Sequence, residues 1–85
     1  MDNLTQKTID QYLAGLELEG EQRDRVLAAI THMVYERNQN VIKAEQAEDE
    51  IKRKQHIESV AEYDQLIEKK IKEVLDGQAE ITYDF

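Results

Sequence analysis

The residues best suited to chemistry are two histidines, His32 and His56, and nineteen acidic residues. His32 stands one helical turn before Glu36, a spacing at which both side chains can face one metal ion. Structural zinc requires four ligands and catalytic zinc three, and the chain has no cysteine to complete either set. Both histidines are therefore predicted to be ordinary surface or boundary residues, and no metal or cofactor is predicted.

Catalytic motifs are equally sparse in this sequence. Acid–base catalysis requires a carboxyl group that is desolvated in a pocket, and a thin helical protein offers few pockets. The sequence contains no calcium loop of the D-x-D-x-D-G type, no glycine-rich phosphate loop and no nucleophile elbow. It also lacks a basic stripe, which disfavours direct binding to nucleic acid or to an anionic membrane. The sequence predicts a protein that is not an enzyme.

The placement of glycine indicates the elements that must position these side chains. Residues 21–76 contain neither glycine nor proline, and all three glycines lie outside that stretch. Gly15 and Gly20 precede it, and Gly77 follows it as the expected C′ residue of the last helix. The chain is therefore predicted to be all-α.

Apolar spacing divides the helical chain into three segments. Ile9 and Leu13 in the first segment, and Val26 and Ile30 in the second, follow the spacing of a buried helix face. These two segments are predicted to form an N-terminal αα-hairpin, followed by a long C-terminal helix and an extended arm. The predicted bounds are helices at about 4–16, 21–38 and 41–76 in a single helical domain of residues 1–76, then the arm at 77–85.

The C-terminal helix carries a short coiled-coil-like seam with alternating spacings of three and four residues. A helix over 41–76 would extend about 54 Å, whereas a compact chain of this length is roughly 30 Å across. The overhanging part of the seam would need cover from another molecule, so a homodimer is predicted. The predicted dimer seam comprises Ile57, Val60, Ile67, Ile71 and Val74, with Asp64 as its one polar member.

The long helix contains a register conflict, and two positions for a break remain open. Continued toward the N-terminus, the seam meets only polar residues, so the helix either breaks or presents two stripes to two neighbours. Asn38–Asn40 is favoured because asparagine tolerates left-handed backbone, and Ser59 with Glu62 is a second capping candidate. Residues 43–56 contain three acid-to-base pairs at spacing four, worth roughly 1 kcal/mol together, and are predicted to be an exposed helical bridge.

The predicted arm differs from the helices because its apolar and polar side chains alternate. Residues 80–85 resemble the acidic tails with which bacterial and phage single-stranded-DNA-binding proteins recruit partners, although the aspartate run and the proline of those tails are missing. The resemblance implies a tip that offers a carboxylate to a basic rim and a ring to an apolar pocket. An arm packed on its own helices is the alternative. The predicted partner-binding residues are Ile81, Tyr83, Asp84 and Phe85.

Two functions from different classes fit these features. The first is a non-enzymatic acidic protein of the cytoplasm that binds other proteins, as a homodimeric accessory, assembly or regulatory factor with an unidentified further partner. The N-terminus has no secretory signal, and no apolar run is long enough to cross a membrane. The alternative is a nucleic-acid mimic, whose carboxylates would occupy the basic site of a DNA- or RNA-binding protein and whose binding would weaken steeply with salt. The acidic face predicted for this alternative comprises Glu58, Glu62, Asp64, Glu68 and Glu73.

Overall fold

The computed structural model describes residues 2–77, and within that range it contains three helices and no strand. The all-α prediction is confirmed. The arm predicted at 77–85, with its proposed contact residues Ile81, Tyr83, Asp84 and Phe85, lies outside the described residues except for Gly77. The helices are α1 (Asn3–Leu13), α2 (Gly20–Gln46) and α3 (Glu50–Leu75).

Helix α1 begins where Asp2 caps it. The Asp2 carboxylate accepts a hydrogen bond from the backbone N–H of Thr5 at 2.7 Å, and this bond lowers the pKa of Asp2. The helix ends at Leu13, earlier than the predicted end at residue 16, because the chain then reverses through a short connection. Gly15 lies in that connection at φ +86°, a backbone conformation that side chains with a Cβ rarely adopt.

Both predicted break sites in the long helix are wrong. Helix α2 runs without interruption through Asn38–Asn40, and α3 runs through Ser59. Asn38 and Asn40 do not break α2, because both side-chain amides have hydrogen-bond partners while the backbone stays helical. The Asn38 side chain bonds to α1, and the Asn40 amide donates to the Glu36 carbonyl at 3.0 Å.

The chain instead turns at residues 47–49, inside the segment predicted to be a helical bridge. Asp49 is the N-cap of α3, and its carboxylate accepts from the backbone N–H of Ile51 at 2.8 Å. The Arg53 guanidinium donates to the Ala47 carbonyl at 2.9 Å and so ties α3 to the end of α2. The charge pairs that favoured a continuous helix are outweighed by this cap and by the packing that the turn allows.

Because the chain turns there, α2 and α3 pack closely along their length, and this pair is the principal hairpin of the fold. The predicted overhang of a 41–76 helix does not exist, and the molecule measures 45 × 28 × 20 Å. Helix α1 packs across the open end of the hairpin, opposite the turn. The core at that end consists of Ile9, Leu13, Val26, Ile30, Val34, Ile67 and Ile71. Helix α3 ends as predicted, with Gly77 at φ +77° donating its N–H to the Val74 carbonyl at 3.0 Å.

Candidate functional site

The five residues of the predicted dimer seam do not share one environment. Ile67 is fully buried and Ile71 is 7% exposed, and both belong to the core of their own chain. Val74 is half-buried against the same core. Ile67 and Ile71 are enclosed by the core of their own chain, so they are not available to a second molecule. The reason for self-association that rested on them is therefore wrong.

The other two seam residues, Ile57 and Val60, lie near the turn and line an apolar groove. Ile57 is 54% exposed and Val60 is half-buried. The groove runs between α2 and α3 and has a volume of about 410 Å³. We call residues 41–60 the hairpin tip and this cavity the tip groove. The tip groove is lined by Val41, Ala44, Glu45, Arg53, Ile57 and Val60.

The tip groove continues the face of the hairpin that α1 covers at the open end. On α2, Val34, Asn38 and Val41 follow one another at spacings of four and three residues, which keeps them on one helix face. Helix α1 lies on that face as far as the hydrogen bond between Asn38 and Thr8, and no described α1 residue lines the groove. Two helices alone form the hairpin tip, and its apolar side chains have no third helix over them.

A second exposed apolar residue extends the surface toward the turn. Ile51 is 69% exposed, and a shallow cavity connects it to Ile57 along the outside of α3. Arg53 borders both cavities, and the charged residues around them carry both signs. Apolar side chains rimmed by mixed charges are typical of surfaces that bind protein.

A polar cluster at mid-length joins all three helices and explains Asp64, the polar member of the seam. The Asp64 carboxylate accepts hydrogen bonds from the Arg37 Nε, at 2.7 Å, and from the Tyr12 hydroxyl. Arg37 also donates through Nη1 to the Asn38 side-chain carbonyl at 2.8 Å. The Asn38 amide in turn donates to the Thr8 hydroxyl at 3.1 Å. Asp64 thus satisfies polar groups from α1 and α2 where the apolar core ends.

The hydrogen bonds and charges of this cluster suit a structural link between the three helices better than catalysis. Burial raises the pKa of the Tyr12 hydroxyl, and the hydrogen bond to the Asp64 carboxylate raises it further. Tyr12 therefore keeps its proton at neutral pH and is a poor general base. The Asp64 Oδ1 atom already accepts hydrogen bonds from both the Tyr12 hydroxyl and the Arg37 Nε. The adjoining surface cavity, of about 300 Å³, is open and polar.

The two histidines lie on different helices. His32 is exposed on α2 with its Nε2 3.7 Å from the Glu36 carboxylate. His56 is half-buried on α3, with Nδ1 3.3 Å from the Asn40 side-chain oxygen across the hairpin. Within residues 2–77, no group of three or more histidines and acids is placed to hold a metal ion.

The acidic residues predicted as one face of a nucleic-acid mimic lie on different sides of α3. Glu58 and Glu62 are one turn apart and exposed. Asp64 points instead into the polar cluster, where Arg37 neutralises it. Glu73 is paired with Lys70 at 3.4 Å. The five carboxylates, which also include Glu68, therefore do not form a continuous row along the helix.

Sequence reasoning did not assign Val41, Ala44 or Arg53 to a binding surface. The signal was present in the spacing, because Val41 follows Asn38 by three residues and Ala44 follows Val41 by three. The predicted exposed bridge over residues 43–56 does not include a buried face, so this spacing did not lead to a groove. Only the turn at 47–49 brings Ala44 and Ile57 to the same groove.

Over residues 2–77, no helix combines the length and the apolar character needed to cross a bilayer. Comparison of the chain with protein-family models, with curated proteins and with solved structures gave no match. The functional proposal therefore rests on the surfaces and contacts described above.

Proposed function

We propose that this chain is a non-enzymatic acidic protein that acts by binding other proteins, in an accessory, assembly or regulatory role. The observation that carries the proposal is the uncovered apolar face of the hairpin tip. Only 40% of the 85 residues are hydrophobic, so a chain of this size has few apolar side chains beyond those that its core requires. Ile57 and Ile51 nevertheless remain more than half exposed next to the tip groove. Side chains exposed in this way gain free energy when a partner covers them.

The shape of the tip groove favours a helical occupant. Helix α1 already packs against the open end of the same face, so the natural continuation over the tip is another helix in the same position. Such a helix would place residues at spacings of three and four between Val41 and Ile57. Glu45 on one side and Arg53 on the other provide rim charges that orient it.

A pair of matched variants tests the proposed function. Ile57→Asp places a charge in the tip groove, whereas Leu66→Asp places the same charge on the outside of α3 at a residue that is 51% exposed. We expect wild type and Leu66→Asp to capture the same proteins from an extract of the source cells. Ile57→Asp should lose them by a factor of at least about ten, because a buried unpaired charge is costly.

The same capture experiment distinguishes the nucleic-acid mimic. Proteins captured equally by wild type and Ile57→Asp would show that the tip groove is not the binding surface. If those proteins bound nucleic acid and were released by moderate salt, the acidic alternative would replace the present proposal.

A further inference from the structure

We infer that the tip groove is covered by the hairpin tip of a second copy of this chain, with the two tips overlapping and the two open ends pointing in opposite directions. This inference rests on the proposed function, since it names one occupant of the same surface. It differs from the dimer predicted from the sequence, because the buried residues Ile67 and Ile71 take no part in it.

The charge distribution favours a second copy at the tip. The chain has a net charge of −8, but residues 21–56 carry seven acidic and seven basic residues and contribute nothing to it. All of the net charge lies in residues 1–20 and 57–85. Two copies that meet around residues 43–56 bring neutral segments together. Their acidic open ends lie at opposite ends of the assembly, beyond the screening length of about 8 Å in physiological salt.

The position of α1 fixes the orientation. Helix α1 occupies the grooved face at the open end, so two copies that point the same way would press their α1 helices against each other. When the copies point in opposite directions, each tip lies over the uncovered part of the other, and each α1 lies beyond the contact. A two-fold axis through the tip groove then pairs identical surfaces. Four helices close around the apolar side chains, as in an antiparallel bundle.

Single-cysteine variants test the inference directly, because the natural chain contains no cysteine. Glu45 is exposed and lines the uncovered part of the groove, between the turn and Asn38, where α1 is bound. The two-fold axis therefore brings Glu45 near Glu45 of the second copy. Leu66 is also exposed, but it lies on the side of α3 opposite the groove residue Ile57. We expect full-length Glu45→Cys to form a disulfide-linked dimer at least about ten times faster than Leu66→Cys under mild oxidation, because proximity raises the effective thiol concentration. Equal rates for the two variants would overturn the inference.

Sedimentation equilibrium provides a second readout that does not depend on thiol chemistry. The mass of the unmodified chain should rise with concentration from 10.0 kDa toward twice that value, while Ile57→Asp remains at 10.0 kDa. A chain that stays monomeric at every concentration, or an Ile57→Asp variant that dimerises as well as wild type, would contradict the proposed contact. A monomeric chain whose capture of other proteins still depends on Ile57 would leave the proposed function standing without the second copy. A dimer at the tip that captures no other protein would support the second copy and contradict the proposed binding of other proteins.

Discussion

Asp64 shows how a single polar residue within an apolar pattern marks a structural boundary. On the side of the open end, Ile67 and Ile71 are buried in the core; on the side of the turn, Val60 and Ile57 line the tip groove. Asp64 lies between the two and binds Arg37 of α2 and Tyr12 of α1. A carboxylate at this position fixes the register of all three helices, because an apolar replacement would leave both donors without their acceptor.

The raised pKa of Tyr12 leads to a prediction about alkaline stability. A tyrosine in the unfolded chain titrates near pH 10, whereas Tyr12 in the folded chain titrates higher because it is partly buried beside Asp64. The stabilisation from its protonated form is therefore complete below about pH 10 and is lost as the pH rises toward the folded pKa. We expect the unfolding free energy of wild type to exceed that of Tyr12→Phe at neutral pH, and the difference to shrink above about pH 10.

Urea unfolding of both proteins across this pH range measures the effect. The other three tyrosines and the lysines are common to both proteins and cancel in the difference. Tyr35→Phe, a change on the exposed part of α2, controls for the loss of a hydroxyl group. A wild-type advantage that stays constant or grows in alkali would contradict the assigned hydrogen bond to Asp64.

At the scale of the elements, the turn at residues 47–49 determines how the helices pack. The sequence indicated a break, because the apolar pattern before residue 42 and that after residue 57 are out of register. It did not indicate the position, since the acid-to-base pairs of residues 43–56 and the helix cap at Asp49 use the same residues. A helical charge pair is worth about 0.2–0.5 kcal/mol, and an aspartate N-cap about 1 kcal/mol. The three charge pairs together and the single cap therefore contribute similar free energies. Packing between α2 and α3 then determines that the chain turns here.

The cap at Asp49 provides a test at this scale. Asp49→Ala removes the acceptor for the Ile51 N–H and should lower the unfolding free energy by about 1 kcal/mol. Glu48→Ala, one residue earlier and exposed in the same turn, should change it by less than about 0.5 kcal/mol. Urea titration followed by circular dichroism at a single protein concentration compares the two. Equal losses for both variants would mean that general charge, and not the cap, holds the turn.

How far the sequence predicts this molecule depends on whether a feature is local. The buried positions Ile9, Val26 and Ile30 follow from helical spacing, and the end of α3 follows from Gly77. The tip groove does not follow from any one segment, because it exists only once the turn brings α2 and α3 side by side. Long-range polar contacts such as that between Asn38 and Thr8 were equally inaccessible, and they override the tendency of asparagine to end a helix.

At the scale of the whole molecule, one apolar face is divided between two uses. Near the open end α1 covers it, and Ile67 is sealed in the subunit core. Near the turn it remains uncovered, and Ile57 is available for a partner. The division follows from the shortness of α1, which has 11 residues against 27 in α2 and 26 in α3. A helix of that length covers less than half of the hairpin.

The most direct measurement of this division compares the same substitution at its two ends. Ile67→Ala and Ile57→Ala remove the same side-chain atoms from one helix, so their unfolding free energies can be compared at low protein concentration, where self-association is negligible. We predict a loss of about 2–5 kcal/mol for Ile67→Ala, because Ile67 is fully buried, and a loss below about 1 kcal/mol for Ile57→Ala. Equal losses, or a larger loss at Ile57, would contradict the account, since Ile57 would then be a core residue of the single chain and not part of a binding surface.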